Sequence, residues 1–442
     1  MKKFINLFIP ILLSNLAVVV GSVADTIFLS HVSTADVAAM SVTLSIYALV
    51  YILGFGLLQG VMQELAEANG RHALNTSQII IKQGVLIVLL LSVFGIIFLT
   101  HSESVLKVLG ADQHLQALVL DCLFILALAL PAQLLLRTFF IVTQTCGQAK
   151  LVFYANIFAL IIKLSLSYAL IYGVPYFHIP QLGVKGAVTA TMLTQWIMLF
   201  VYYGFFLEKK YRIQLAGQFF DFDILKKILR IGFPMAVIIL IDVIAVTFIS
   251  LLSIPLGNTA LTAHQIVMGI TSLLFMFPSS LSAAYSILIS TKVGEGDLQA
   301  AWKLTQRALQ IGLLLALSIV ICVYGFKDVL IPVFTKDAAV TVFVMNLLLI
   351  VCVMHIADAM LCILVNMLRC WSVTITPMFI YTSVILVIGL GGGWYVAYHP
   401  ISWHQFHIPA LGIYGFWILL TFAYILAVAV CSLCLKYRQY LK

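Results

Sequence analysis

The 442-residue chain is 63% hydrophobic and only 9% charged, whereas soluble domains are about 25% charged. This composition excludes a soluble globular protein and makes lipid the solvent of most of the chain. The net charge of +8 is explained by basic loops between apolar runs, so we expect no nucleic-acid partner.

Apolar runs of about 20 residues recur along the whole chain, and each is long enough to cross a hydrocarbon core as a helix. The predicted spans are 5–30, 37–63, 80–100, 116–141, 152–173, 184–207, 232–254, 261–290, 306–326, 338–367, 376–398 and 409–434. The predicted fold class is therefore an all-α membrane protein with twelve transmembrane helices.

The basic residues indicate the orientation of these spans. With the N-terminus placed inside, the cytoplasmic segments hold 18 of the 24 Lys and Arg residues and the outer segments hold four. The positive-inside rule then predicts a multi-pass protein of a bacterial inner (plasma) membrane with both termini in the cytoplasm. Basic loops of this kind can also contact anionic membrane lipid.

The chain repeats itself. Residues 36–42 align with residues 260–266 at an offset of 224, and residues 177–186 align with residues 406–415 at an offset of 229, with seven of ten positions identical. Six helices per half make the halves parallel repeats, an arrangement found in transporters that alternate access. We therefore expect an N-lobe at 1–207, a cytoplasmic linker at 208–231 and a C-lobe at 232–442.

Ionisable residues inside apolar spans are costly, so each suggests a function. Asp242 interrupts an apolar run in the seventh span, and Asp25 lies late in the first. His355 precedes Asp358 by one helical turn in the tenth span, so the two share a face. If Asp242 and Asp358 share one low-dielectric site, the two carboxylates can exchange protons or hold a monovalent cation. Asp121 and Arg137 lie nearer span ends, where headgroup contact and snorkelling explain them.

No motif indicates an enzyme, and we expect no catalytic residue and no cofactor. The glycine run 389–393 lacks the Lys-Ser/Thr of a phosphate loop and lies in an apolar span, where helix packing explains it better. Without a nucleotide site, an ion gradient must supply the energy for transport. A membrane scaffold or assembly protein is the alternative from another class, but it leaves the intramembrane acids unexplained.

Several short motifs resemble the multidrug and toxic compound extrusion (MATE) family, over nearly the whole chain. They are Pro10, Ala24-Asp25-Thr26, Leu182-Gly183-Val184-Lys185-Gly186-Ala187, Gly232-Phe233-Pro234, Ala263-His264-Gln265-Ile266 and Gly294-Glu295-Gly296-Asp297. The resemblance implies two six-helix lobes in a V around a central cavity. It also implies export of amphipathic, often cationic, small molecules in exchange for Na⁺ or H⁺. We expect a monomer, and a flippase for a lipid-linked or large amphipathic substrate is the alternative within the superfamily.

Within that family, acids on the seventh and tenth helices mark the NorM-like branch, and Asp242 and Asp358 match them. They are the predicted cation-coupling residues, with His355 as a candidate partner and Na⁺ at the two acids as the only metal expected. The resemblance also implies a polar site in the N-lobe, at Asp25, Lys163, Ser167 and Thr191. Lys163 departs from the usual Asn, and its ammonium could replace the mobile cation by pairing with Asp25.

Overall fold

The computed structural model describes residues 2–108, 113–177, 180–206, 218, 220–403 and 406–440. The α-helices are α1 (Lys2–Ser30), α2 (Thr34–Gly70), α3 (Leu74–Thr100), α4 (Glu103–Val108), α5 (Gln113–Thr145), α6 (Ala149–Tyr172), α7 (Val184–Val201), α8 (Phe222–Leu252), α9 (Asn258–Gly294), α10 (Leu298–Gly325), α11 (Lys327–Phe334), α12 (Ala338–Cys370), α13 (Ile375–Ser383), α14 (Gly393–Tyr398) and α15 (Ile413–Tyr440). Short 3-10 turns lie at Pro175–Phe177 and Ile254–Leu256, and π-helical segments at Tyr202–Phe206 and Val384–Gly392. An antiparallel hairpin pairs β1 (Ile401–Trp403) with β2 (Phe406–Ile408).

The prediction of an all-α membrane protein with twelve spans is confirmed. Within the described ranges, twelve helices are long and apolar enough to cross a membrane. Some helices run past the predicted spans, because an apolar run marks only the part of a helix that lies in hydrocarbon. For example, α8 begins at Phe222, ahead of the predicted start at 232. By contrast, α15 begins at Ile413 and not at 409, since Gly412 with φ 57° precedes it.

Large apolar side chains cover the outer surfaces of the helices. Leu90, Phe94, Ile321 and Val387 are each more than half exposed. Lipid tails are as apolar as these side chains, so a surface that would cause aggregation in water is solvated in a membrane.

The chain divides into two compact units. Unit 1 comprises Met1–Ala236 and Ser290–Gly296, and unit 2 comprises Val237–Ile289 and Asp297–Lys442. The start of α8 belongs to unit 1 because glycines allow it to touch α2: a Cβ at Gly60 would lie 2.2 Å from the Ile228 carbonyl oxygen. The lobe boundaries at the 208–231 linker, which rest on the sequence repeat, stay a prediction.

Three helix pairs of unit 1 recur at equivalent places in unit 2. The pairs α3–α5, α5–α7 and α6–α7 correspond to α10–α12, α12–α15 and the packing of α14 and the preceding π segment on α15. The internal sequence repeat is thus also a repeat of helix packing within each unit.

The glycines of the strongest repeat have identifiable structural roles. Gly183 and Gly412 directly precede α7 and α15, with φ 55° and 57°, a backbone conformation that favours glycine. At Gly186, a Cβ would lie 2.4 Å from the Leu170 carbonyl oxygen of α6, and at Gly415 it would lie 2.9 Å from the Ala397 backbone nitrogen of α14. The repeated glycines therefore set how closely the sixth helix of each half approaches the fifth.

Replacing Gly186 should loosen this contact. Gly186→Ala forces a methyl group against the α6 backbone, which cannot rotate away, so we expect a loss of about 1–3 kcal/mol in the free energy of unfolding. Gly269→Ala in α9 is the matched control, because its Cβ would meet nothing within 4 Å. The midpoint of thermal unfolding in detergent measures both, and equal midpoints for the two variants would contradict this role for Gly186.

Candidate functional site

Asp242 lies in the second half of α8, where it interrupts an apolar run of unit 2. Its Oδ1 atom accepts hydrogen bonds from the hydroxyls of Tyr381 at 2.7 Å and Tyr424 at 3.0 Å. Both tyrosines are buried, and they come from α13 and α15. Two donors therefore converge on one oxygen, and among the described residues none donates to Oδ2 of this half-buried side chain.

Asp358 on α12 is the second acid of this site. The side chain is half-buried, and its charge lies within electrostatic reach of Asp242. Two negative charges in an apolar setting repel each other, and a shared cation or proton relieves the repulsion. The two predicted coupling acids therefore lie close enough for the charge of one to act on the other.

His355 takes a different position from the one expected of a titrating partner. The ring is fully buried, and both of its nitrogens lack a hydrogen-bond partner among the described residues. His355 and Asp358 lie one helical turn apart, but no hydrogen bond joins their side chains among the described residues.

The glycine run 389–393 helps to position the tyrosines. A Cβ at Gly389 would lie 3.1 Å from Leu420 Cδ1, and one at Gly393 would lie 3.1 Å from the Phe416 Cα atom. This segment therefore packs closely on α15, which carries Tyr424, and it follows α13, which carries Tyr381. The prediction that the run serves helix packing is confirmed at these two glycines.

The polar site of unit 1 is built differently. Lys163 Nζ on α6 lies 2.9 Å from Asp25 Oδ2 on α1, and the Ser167 hydroxyl donates to Asp25 Oδ1 at 2.7 Å. Asp25 and Ser167 are buried, and the Lys163 side chain is 20% exposed. Ser167 thus donates a hydrogen bond to one carboxylate oxygen, and Lys163 places the compensating positive charge beside the other.

A glycine makes room for the lysine. Gly21 lies one turn before Asp25, and a Cβ there would approach Lys163 Cδ to 3.4 Å and Leu160 Cδ1 to 3.3 Å. The four-carbon stem of Lys163 therefore passes over the bare backbone of α1 to reach the carboxylate.

The other polar and charged residues that the sequence places within the spans make contacts outside these two sites. The Thr191 hydroxyl donates to the Ala187 carbonyl of its own helix at 3.1 Å, and no hydrogen bond joins Thr191 to Asp25 within the described residues. Asp121 forms an exposed ion pair with Lys185 at 2.6 Å. The Arg137 guanidinium lies 4.8 Å from the centre of the Phe55 ring, a cation–π contact.

The same family model matches the chain twice. The MatE model covers residues 10–169 and again residues 234–394, in agreement with the internal repeat. The chain belongs to the MatE family. It is accordingly a transporter and not an enzyme, and the resemblance noted from the sequence motifs is confirmed.

Individual relatives agree over almost the full length. The chain is 29% identical over 443 residues to a probable multidrug resistance protein NorM of Pasteurella multocida, covering 99% of this chain and 94% of that protein. It is 28% identical to the multidrug resistance protein NorM of Vibrio cholerae, covering 99% and 95%. A solved multidrug resistance MATE family transporter of the MOP superfamily, in an outward-facing conformation, has a TM-score of 0.87 at 19% identity, covering 99% and 95%.

The Lys163–Asp25 pair can be tested by a double-mutant cycle on stability. Removing one partner leaves a buried charge without compensation, so Lys163→Ala and Asp25→Ala should each cost about 3–5 kcal/mol, and the double variant should recover much of that loss. Denaturant unfolding in detergent gives the four free energies.

An exposed pair provides the control for this cycle. Lys107 and Glu103 are also paired, but their side chains are 63% and 58% exposed, so solvent screens their attraction and their cycle should show little coupling. Additive losses at Lys163 and Asp25, with no coupling above that of the exposed pair, would show that the buried pair is not an energetic unit.

Proposed function

We propose that the chain is a secondary active antiporter that exports amphipathic, cationic drugs or metabolites in exchange for Na⁺ or H⁺. Membership of the MatE family supports transport. The observation that carries the coupling is the carboxylate of Asp242, held by two tyrosine hydroxyls within reach of Asp358.

The energetics of this acid favour exchange with a cation. Taking a carboxylate out of water costs several kcal/mol even after relaxation, and a hydrogen bond to a charged group contributes about 1.5–3 kcal/mol. Two tyrosine hydroxyls offset this cost to a similar extent but bring no positive charge, and Asp358 adds repulsion. Binding a proton or Na⁺ supplies the missing positive charge, with Asp242 Oδ2 as the open acceptor.

Antiport follows if a cationic substrate and the coupling ion neutralise the same acids in turn. Binding of one ligand then displaces the other from the acids, and the two are exchanged across the membrane as access alternates. The substrate class is then amphipathic and cationic, because apolar surroundings select the body of the molecule and the acids select its charge.

The site in unit 1 does not exchange in this proposal. Lys163 already provides Asp25 with a covalently attached cation at 2.9 Å, so an ion from the gradient has no uncompensated charge to neutralise there. Coupling is then confined to Asp242 and Asp358.

We also propose the orientation given by the charge distribution, with both termini in the cytoplasm of a bacterial inner membrane. The bias of 18 against four basic residues supports it.

Neutralising either coupling acid should abolish gradient-driven export. Asp242→Asn and Asp358→Asn keep the side-chain volume but cannot bind Na⁺ electrostatically or cycle a proton, so efflux of a cationic dye from proteoliposomes should fall to background. Na⁺ and pH gradients imposed separately on the unmodified protein identify the coupling ion.

Asp121→Asn is the control for these variants, because Asp121 is an exposed acid paired with Lys185 and should leave efflux unchanged. Normal coupled efflux by the Asp242 and Asp358 variants, at equal amounts of folded protein, would remove these acids from the mechanism.

A further inference from the structure

A cavity of about 380 Å³ lies in unit 2, where α10 begins and α12 and α15 end, and neither Asp242 nor Asp358 is among its lining residues. Its lining includes Gln299, Trp302, Lys303, Gln306, Trp371 and Arg438. The rings of Trp302 and Trp371 contact each other at the cavity wall, and their centroids are 5.6 Å apart.

The charge in this cavity has one sign. Both charged lining residues, Lys303 and Arg438, are cations, and no acid lines the cavity among the described residues. The acid that directly precedes α10, Asp297, is occupied at the helix N-terminus, where it accepts a hydrogen bond from the Ala300 backbone nitrogen at 3.0 Å. The cavity therefore favours an anion.

Two buried donors in the cavity lack an acceptor. Trp302 Nε1 and Arg438 Nε are shielded from solvent and have no hydrogen-bond partner among the described residues. Buried donors without an acceptor are rare and need an explanation. Trp371 Nε1, in contrast, is satisfied by the Thr305 hydroxyl at 3.1 Å. The free donors indicate that Trp302 and Arg438 bind a ligand with acceptor oxygens.

The location adds an apolar requirement. The cavity lies at the ends of three spans, on the side that the charge bias places in the cytoplasm, and tryptophans are enriched at the headgroup level of membranes. Basic pockets between transmembrane helices on the cytoplasmic side bind anionic lipid headgroups. A ligand with a phosphate and acyl chains satisfies the cations, the free donors and the indole walls together.

We propose that this cavity is a binding site for an anionic phospholipid of the inner leaflet, with the phosphate held by Lys303, Arg438 and the Trp302 indole N–H. The site is separate from the coupling acids, and it would attach the ends of α10, α12 and α15 to the lipid headgroup layer.

Native mass spectrometry of the full chain released from nanodiscs tests this proposal. With equal phosphatidylglycerol and phosphatidylcholine, the unmodified protein should retain phosphatidylglycerol preferentially. Lys303→Gln combined with Arg438→Gln should lower that retention by about tenfold or more, since each basic residue near an anionic surface contributes about a factor of five. Trp302→Phe, which keeps the ring and removes the N–H, should also lower it while leaving the charge unchanged.

The control is Lys2→Gln combined with Lys3→Gln, an equal loss of charge at two exposed residues of unit 1, and it should retain the lipid normally. Equal retention by the cavity variant and this control would overturn the proposal. Soluble glycerol phosphate at millimolar concentration should displace little of the lipid. Its full displacement of phosphatidylglycerol would show that the cavity takes a free phosphate, which would also overturn the lipid assignment.

Discussion

The cost of placing a charge in hydrocarbon determines how both polar sites of this transporter are built. Every acid within a span needs hydrogen-bond donors, a compensating cation or both. Asp25 has both, from Ser167 and Lys163. Among the described residues, Asp242 accepts hydrogen bonds only from the hydroxyls of two tyrosines, and its charge acts on another acid, Asp358. The first acid is therefore paired with a cation of the chain, and the proposed mechanism supplies the second with a cation from outside.

This difference arose on a duplicated framework. The glycines at repeat-equivalent positions, such as Gly186 and Gly415, keep the same close helix contacts in both units, because a larger residue would separate the fifth and sixth helices of a half. The acids are free to diverge, since a counter-ion can come from the chain or from solution. A lysine on α6 pairs with the acid of unit 1, whereas no such lysine pairs with Asp242 within the described residues, and this contrast underlies the proposal that coupling is confined to unit 2.

Much of this could be predicted from the sequence, because membrane spans and helix faces are local properties. The twelve spans follow from apolar runs, and the Lys163–Asp25 contact follows from helix periodicity together with the family resemblance. Tyr381 and Tyr424 could not be found in this way. The chain has 18 tyrosines, and only the packing of α13 and α15 brings these two to one carboxylate oxygen. The pairing of Asp121 with Lys185 was missed for the same reason.

Carbon-13 NMR of the aspartate carboxyl groups, assigned by substitution, tests most directly whether the two sites differ in this way. The purified protein would be examined while pH and Na⁺ concentration are varied separately. We expect the Asp25 resonance to stay constant over the range in which Asp242 or Asp358 responds to the coupling ion. A response at Asp25 with unchanged signals from Asp242 and Asp358 would contradict it.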